Sequence, residues 1–297
     1  MGRYILHGLH STGIQIRAMV RNAPTAQSIL PTKIEILQGD IQRVADLERA
    51  FDGIDSLLIN LNSLEQVSEK HWQPLNQGLS TLLVFARMNS VRHVIFHSTL
   101  ASHSGPVEKS ALKIPALHRL AERYLVNCGI PYTIFRTSIF MENFYHRFRS
   151  GNQIRIDAGL NAPLYWLSAF EFGKLISESI CNPQMLNQVF SFQGREAFGL
   201  EDAARLFVKT YKDETLEFKS SAGNLNRFFS LVRPRKMEET LWAKLVSENP
   251  ENQISQLTWN LIGEPQFNFQ RFVQEVKPLL RFSKDLDSTG SRIQLVY

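Results

Sequence analysis

The sequence has little cysteine, no long apolar stretch and no pattern typical of a signal peptide. Two cysteines, Cys128 and Cys181, stand among 297 residues. They are too few for a disulfide framework or a cysteine-based zinc site, and they fit a reducing compartment. No apolar run is long enough to span a bilayer, and the first apolar residues, interrupted by His7 and His10, do not form a signal peptide. We therefore expect a soluble, cytoplasmic protein with no membrane span.

The sequence also lacks a concentrated block of charge. The net charge is +5, but lysine and arginine are scattered along the chain, and the densest cluster is the short run RPRK at 233–236. A solvated basic surface explains this pattern better than a nucleic-acid site does, so we expect no nucleic-acid partner. The hydrophobic content of 43% is enough for a substantial core.

Short apolar runs alternate with helical patterns through the first half of the chain, which predicts an α/β protein with a parallel sheet. Strands are predicted at residues 14–20, 34–37, 55–60, 91–96, 132–135 and 189–192, and helices at 3–11, 44–51, 72–88, 114–128, 170–180 and 200–211. Residues 224–280 are predicted to be mainly helical. Residues 281–297 form either a loose tail or, at 293–297, an edge strand.

Several short strings occur together in a fixed order. They are GIQIRAMVRN at 13–22, QGD at 38–40, LERAFDGID at 47–55, GIPYTIFR at 129–136 and FMENF at 140–144. In this order and spacing, over residues 2–212, the chain resembles the NmrA-like proteins, an atypical branch of the short-chain dehydrogenase/reductase superfamily. The resemblance implies a Rossmann-like NAD(P)-binding domain at 1–150 and a smaller, mostly helical substrate-side lobe at 151–297.

The family opens with a strand and a GxxGxxG turn, of which this sequence retains only the third glycine, Gly2. That first strand normally lies in the middle of the sheet. Its neighbours would therefore lose buried contacts worth roughly 1.5–3 kcal/mol for each aliphatic side chain. We expect that the recorded start lies downstream of the true one; the alternative is a sheet that pairs around the gap. Because the turn carries much of the pyrophosphate affinity, we expect weak or no NADP(H) binding by the chain as written.

The resemblance assigns cofactor contacts to the ends of the predicted strands. Arg21 would face the 2′-phosphate of NADP, with a solvated arginine as the alternative. Asp40 would lie near the adenine, although a helix cap at Ile41 explains it equally well. Asn60 and Asn62 would lie along the ribose side, or they simply belong to a polar loop.

The wider superfamily's Tyr-x-x-x-Lys pair is absent, because no tyrosine here has a lysine four residues later. In the NmrA-like pattern a lysine precedes the helix glutamate by four residues. Here that glutamate is Glu122 and His118 takes the lysine's place. A histidine at this position could bond a ribose hydroxyl or relay a proton. The alternative is a substituted, catalytically weakened position.

Ser98 and Thr99 end the predicted strand where substrate and nicotinamide meet in such sheets, so either hydroxyl could hold a carbonyl oxygen. His93 and His97 share a strand face near His103, but alternation in a buried strand is favoured over a metal site. Four residues are expected to wall the substrate cleft, with core packing as the alternative: Phe140, Met141, Asn143 and Phe144.

The resemblance implies an NAD(P)(H)-binding protein. One hypothesis is that it is an NADPH-dependent reductase of a small carbonyl compound or quinone. A second is a non-catalytic, NADP-sensing regulator or scaffold with a protein partner, and a third is a form that binds no cofactor. The missing Tyr-x-x-x-Lys pair and His118 weigh against robust chemistry, but a bound nicotinamide can reduce an acceptor without a dedicated proton donor.

Overall fold

A computed structural model gives the fold of this chain and describes residues 1–61, 72–103, 113–157, 162–211, 215–221, 251–252, 254–281 and 295–296. The helices are α1 Gly2–His10, α2 Ala23–Ile29, α3 Val44–Phe51, α4 Leu79–Met88, α5 Lys113–Val126, α6 Asn143–His146, α7 Ala169–Cys181, α8 Leu200–Thr210, α9 Gln256–Ile262 and α10 Phe269–Arg281. The strands are β1 Arg17–Val20, β2 Glu35–Gln38, β3 Ser56–Ile59, β4 His93–Thr99, β5 Tyr132–Thr137, β6 Arg149–Ser150, β7 Gln153–Asp157, β8 Leu164–Tyr165, β9 Gln188–Phe192, β10 Ala197–Phe198, β11 Glu217–Ser221 and β12 Leu295–Val296. Among these helices none combines the length and hydropathy that a bilayer crossing needs.

The parallel strands form two separate sheets. One has the order β12-β1-β2 and the other β3-β4-β5-β9. β1 pairs in parallel with β2, and β3, β4, β5 and β9 are all mutually parallel. The predicted parallel sheet is therefore confirmed, but β1 and β3 do not pair with each other. β12 pairs antiparallel with β1, so residues 295–296 of the edge strand predicted at 293–297 are found in a strand, whereas residues 293, 294 and 297 lie outside the described part.

Alternating strand residues bury two apolar layers on opposite faces of the sheets. Leu58, Ile95 and Phe135 contribute to the layer that contains α1 and α7. Leu57 and Phe96 belong to the other layer, which contains α3, α4 and α5. Both faces are covered by helices, which explains why these strands read as continuous apolar runs in the sequence.

Helices α1 and α7 approach each other closely because each has a glycine at the contact. A Cβ on Gly8 would overlap the carbonyl oxygen of Phe170, and a Cβ on Gly173 would overlap that of Ile5. α1 lies before β1 and α7 lies before β9 in the chain. Both helices belong to the apolar layer that also contains Val20 of β1 and Leu58 of β3, so this layer packs against both sheets.

The second half of the chain contains more strand than the sequence predicted. After residue 150 the chain returns to the main sheet through β9, and it also forms the small sheets β11-β7-β6 and β10-β8. These strands have two to five residues, too few to show a clear alternation. The region predicted as mainly helical contains α9 and α10, whereas residues 222–250 lie outside the described part.

Two other differences from the sequence prediction lie near the start of the chain. The strand predicted at 14–20 begins only at Arg17, where pairing with Glu35 of β2 starts. Helix α2 was not predicted at all. It is capped by Asn22, whose Oδ1 accepts a hydrogen bond of 3.0 Å from the Thr25 amide, and Pro24 occupies its first turn.

Candidate functional site

The carboxyl ends of β1, β3, β4 and β5 carry most of the predicted site residues. Arg21 directly follows β1 and is exposed, and its guanidinium makes no hydrogen bond or ion pair with any residue the structure describes. No aspartate or glutamate stands at this strand end, where the sequence reads Val20-Arg21-Asn22. An exposed guanidinium at this position can make forked, charge-assisted hydrogen bonds to a phosphate.

Asp40 follows β2 and is part of a local turn. Its Oδ1 accepts a 2.9 Å hydrogen bond from the Gln42 amide, and its own amide donates to Asp46 at 2.9 Å. This hydrogen bond ties the carboxylate to the turn that leads into α3, but no helix begins at Ile41, because α3 begins at Val44 and its N-cap is Arg43. The carboxylate is half-buried, so the structure leaves it accessible to a ligand as well.

Asn60 lies at the end of β3 and contacts a histidine on β4. The Asn60 Oδ1 lies 2.9 Å from His97 Nδ1, and His97 Nε2 lies 2.8 Å from the Thr137 hydroxyl on β5. Because the asparagine oxygen can only accept, His97 donates a hydrogen bond from Nδ1, and its Nε2 accepts one from the Thr137 hydroxyl. Burial lowers the pKa of His97 to about 3, with further lowering by the neighbouring His118. This histidine is neutral and links three adjacent strand ends.

Ser98 lies on the opposite side of β4 from His97 and is completely buried. Its hydroxyl donates a 2.6 Å hydrogen bond to Oε1 of Glu122 on α5. Arg136, on β5, donates to the same carboxylate from Nη2 at 2.7 Å and from Nε at 3.2 Å. The serine and arginine together fix Glu122 against the sheet.

His118 lies one helical turn before Glu122 and is also buried. Its Nδ1 is 3.4 Å from the Ser98 hydroxyl, and its ring centroid is 6.0 Å from that of Phe96. Burial lowers the pKa of His118 to about 4, although the Glu122 carboxylate raises it in part. The structure thus brings Ser98 and His118 together, as a neutral pair behind the end of β4.

Thr99 and Gly2 occupy more open positions than Ser98. Thr99 is half-buried, and its hydroxyl accepts a 3.3 Å hydrogen bond from the Ala101 amide at the carboxyl end of β4. Gly2 is the first residue of α1. Asn62, the remaining predicted contact, lies outside the described residues.

Three histidines lie near the carboxyl or amino end of β4: His93, His97 and His103. His93 is buried and lies 2.9 Å from the Thr133 hydroxyl, and burial lowers its pKa to about 4. His103 follows β4 in the chain, and its Nε2 lies 3.6 Å from Oε2 of Glu122. Within the described ranges no group of three His, Cys, Asp or Glu side chains is placed to hold a metal ion.

The residues expected to wall the cleft are buried, which agrees with core packing, the alternative to that expectation. Phe144 stacks between Trp166 and Phe207, with centroid distances of 4.9 and 5.0 Å. Phe140 lies nearest the strand ends, 5.3 Å from the His97 ring. Phe140 therefore packs against the His97 ring on the face of the sheet that α7 covers.

Two members of the site were missed at the level of sequence: Arg136 and Thr137. Both lie at the end of β5, within the string GIPYTIFRT, where only the strand itself was predicted. The signal that could have found Arg136 is the acidic Glu122 on the preceding helix, since a buried carboxylate needs a partner. Nothing in the sequence around Thr137 indicates that this residue belongs to the site.

A dinucleotide fits the residues of this site in part. Arg21 fits a 2′-phosphate, and the half-buried Asp40, Asn60 and Thr99 line the same edge of the strands. At the start of α1, the amides of Tyr4 and Ile5 both donate to the Met1 carbonyl. The first two glycines of a phosphate-wrapping turn are not among residues 1–297.

Comparisons with known proteins extend this picture. A family model for NAD(P)H-binding proteins matches residues 1–154. Quinone oxidoreductase 2 of Escherichia coli (strain K12) is 28% identical over 147 residues, 48% of this chain and 47% of that protein. A photosystem II assembly factor of Trieres chinensis is 23% identical over 207 residues, 67% of this chain and 62% of that protein. The chain thus spans about half to three fifths of the length of these curated relatives.

Solved structures share the fold over nearly the whole chain. The triphenylmethane reductase of Citrobacter sp., complexed with NADP(H), has a TM-score of 0.68 at 18% identity, covering 92% of this chain and 95% of that one. The NADPH-dependent quinone oxidoreductase of E. coli, complexed with NADPH, has a TM-score of 0.68 at 20% identity, covering 93% and 96%. At these identities the likeness shows the fold. Because the family model covers more than half of the sequence, this chain belongs to the NAD(P)H-binding family, which agrees with its resemblance to the NmrA-like, atypical short-chain dehydrogenase/reductase proteins.

Proposed function

We propose that this protein binds NADP(H) along the carboxyl ends of its parallel strands and reduces a small carbonyl compound or quinone. The observation that carries the proposal is the exposed guanidinium of Arg21 beyond β1, at a strand end with no acidic residue. An acidic side chain at this position would suit the unphosphorylated ribose of NAD, whereas an arginine suits the 2′-phosphate. The E. coli quinone oxidoreductase and the Citrobacter reductase, whose structures contain NADPH and NADP(H), support the same class.

Each residue of the site would have a role set by its place along the ends of the strands. When bound, the nicotinamide would supply the hydride. Arg21 would bind the 2′-phosphate, Asp40 would lie near the adenine, and Asn60 would lie along the ribose side. Thr99 would present its half-buried hydroxyl to the substrate oxygen. Ser98 and His118 would act behind it as positioning residues, because Ser98 is fully buried and donates to Glu122.

A second candidate function is an NADP-sensing regulator that does not turn over a substrate. The hydrogen bonding of Ser98 and the charge of His118 favour it. The Ser98 hydroxyl is held by a carboxylate, and His118 is neutral at pH 7 because its pKa is lowered to about 4. Neither group is set up to give a proton to a substrate. Such a protein would bind the cofactor and pass the signal to a protein partner.

Calorimetric titration with NADPH and NADH tests the cofactor assignment. Because the chain as written has only one glycine of the turn, we expect weak binding. We expect tighter binding after extension at its amino end by an apolar strand and a Gly-x-x-Gly turn. In the extended chain, Arg21→Ala should cost roughly 1.5–3 kcal/mol of binding free energy for NADPH and little for NADH.

The matched control is Arg92→Ala. It removes the same charge from an exposed arginine that pairs with Asp55 at the opposite, amino end of the strands. An equal loss for both cofactors in Arg21→Ala would give Arg21 a structural role. Micromolar binding by the unextended chain would contradict the expected dependence on the glycine turn.

Turnover separates the two functions. NADPH oxidation with a model quinone is followed in the extended chain and in its His118→Lys variant, which restores the family's lysine. The reductase proposal expects turnover that rises in the variant. Cofactor binding without oxidation in either protein would favour the regulator.

A further inference from the structure

The ring of His97 is fixed by a hydrogen-bond partner at each of its nitrogens. The register pairs Ile59 with Phe96, so Asn60, the residue after β3, lies beside His97. Nδ1 is 2.9 Å from Asn60 Oδ1, and Nε2 is 2.8 Å from the Thr137 hydroxyl on β5. A ring turned by 180° would set carbon atoms against both partners, so these two bonds select one ring orientation.

Two buried phenyl rings hold the imidazole in this orientation. Phe140 and Phe172 lie against it, with centroid distances of 5.3 and 5.5 Å, and both are themselves buried. The imidazole could turn only if these rings moved, which a close-packed interior resists. The His97 ring is therefore fixed before any ligand binds.

The side-chain amide of Asn60 has one end in use and one end free. Its Oδ1 accepts from His97, whereas its Nδ2 donates to no residue in the ranges that the structure describes. Asn60 is half-buried and lies at the carboxyl edge of the sheet. An amide has an acceptor at one end and two donors at the other, so the bond to Oδ1 leaves both N–H groups available to a ligand.

We propose that His97 is a positioning residue, which holds the Asn60 amide so that its NH₂ group donates a hydrogen bond to an oxygen of the bound dinucleotide. This role rests on the proposed function, because it requires NADP(H) to lie along the strand ends. Ribose hydroxyls and phosphate oxygens both accept such a bond. The reversed amide would present only an acceptor, which a phosphate oxygen could not use.

The tautomer of His97 tests the amide orientation in the chain as written, without cofactor. The ¹⁵N shifts of labelled histidine distinguish a protonated ring nitrogen from an unprotonated one, and His97→Phe assigns the signal. We expect the proton on Nδ1. In the opposite tautomer Thr137 would accept from Nε2 and donate to the Ser98 carbonyl oxygen, 3.4 Å away, and the Asn60 amide would be reversed. A proton on Nε2 would therefore overturn the proposal.

A double-mutant cycle tests the role in binding. NADPH is titrated to millimolar concentration into the chain as written and into the extended chain. One variant is His97→Phe with Thr137→Val, which keeps the volume and leaves no hydroxyl unpaired; the others are Asn60→Ala and the combination. Replacing His97 should weaken binding about three- to tenfold, as expected for one hydrogen bond. It should cause no further loss when Asn60→Ala is already present, because His97 acts through Asn60.

The matched control is His93→Phe with Thr133→Val. It removes the same two groups from the same pair of strands, because His93 Nε2 lies 2.9 Å from the Thr133 hydroxyl, four residues before His97 on β4. The control should leave the NADPH affinity unchanged. An equal loss in the control would show a general effect of buried histidines and overturn the proposal.

Additive losses in the cycle would show that His97 acts independently of Asn60, and unchanged affinity would show that it has no role in binding. Either result overturns the proposal but leaves the proposed function in place. No binding by either chain would contradict the proposed function itself, and the role of His97 in binding with it. The tautomer measurement would still report the amide orientation in that case.

Discussion

At the scale of single residues, the direction of a side chain decides its role in this site. His97 and Ser98 are neighbours on β4, but they lie on opposite sides of the strand. One bonds Asn60 and Thr137, and the other bonds Glu122. The sequence placed Ser98, Thr99 and His118 correctly at one strand end. It could not give the partner of the Ser98 hydroxyl, because Glu122 and Arg136 are 24 and 38 positions away along the chain.

His118 should stay neutral through the physiological range. Burial lowers its pKa to about 4, so its ring resonances should be constant between pH 8 and pH 5.5 in the free protein. Histidine NMR titration measures this, with His118→Asn used to assign the signal. A midpoint near 6.5 would show a solvated side chain and contradict the buried position. A shift on adding NADPH to the extended chain would show that the pair with Ser98 senses the cofactor.

At the scale of elements, most helices and strands of the first half could be predicted from their apolar periodicity. The helix predicted at 44–51 matches α3 residue for residue. Helix α2 escaped prediction because its seven residues, APTAQSI, have only a weak apolar period and depend on the Asn22 cap. The split of the sheet lies between β1 and β3, where the resemblance had implied a missing first strand, but the pairing of β12 with β1 could not be predicted from strand patterns because the two segments are far apart in the sequence.

The contact between α1 and α7 depends on two glycines. Gly173→Ala should destabilise the protein by about 1–3 kcal/mol, because the new methyl group would overlap the backbone of Ile5 and push the helices apart. Urea unfolding followed by circular dichroism measures the change. His10→Ala is the control, since it alters a half-buried residue at the end of α1 without adding volume at the contact. An unchanged unfolding midpoint for Gly173→Ala would show that the two helices can separate freely.

At the scale of the whole molecule, three histidines whose pKa values are lowered well below 6.5 should make the fold sensitive to acid. Burial lowers the pKa of His93 and His118 to about 4 and that of His97 to about 3. Below pH 6.5 the unfolded chain takes up protons at these positions that the folded chain does not. The free energy of unfolding should therefore fall as the pH drops from 6.5 towards 4, by on the order of a few kcal/mol.

Glu142 acts in the opposite direction. Burial raises its pKa to about 7 even though it accepts hydrogen bonds at the start of α7, so its contribution to stability grows as the pH falls below 7. Burial also raises the pKa of Glu171 and Glu251, and it lowers that of His7, His103 and His146. Six histidines therefore oppose three carboxyls, and the net slope should follow the histidines. Urea unfolding at pH 7.5, 6.5 and 5.5 measures it, and His118→Asn should make the slope shallower. Stability that is flat or rises towards pH 5.5 would contradict this balance.

The separation of the two sheets has a mechanical consequence. In a continuous sheet, a force pulling the halves apart loads a row of hydrogen bonds in parallel. Here no pairing joins β1 to β3 in the described part of the chain, so the load passes through side-chain and backbone contacts between helices such as α1 and α7. Under tension the molecule should therefore separate first between β1 and β3, before either sheet loses its own strand pairing.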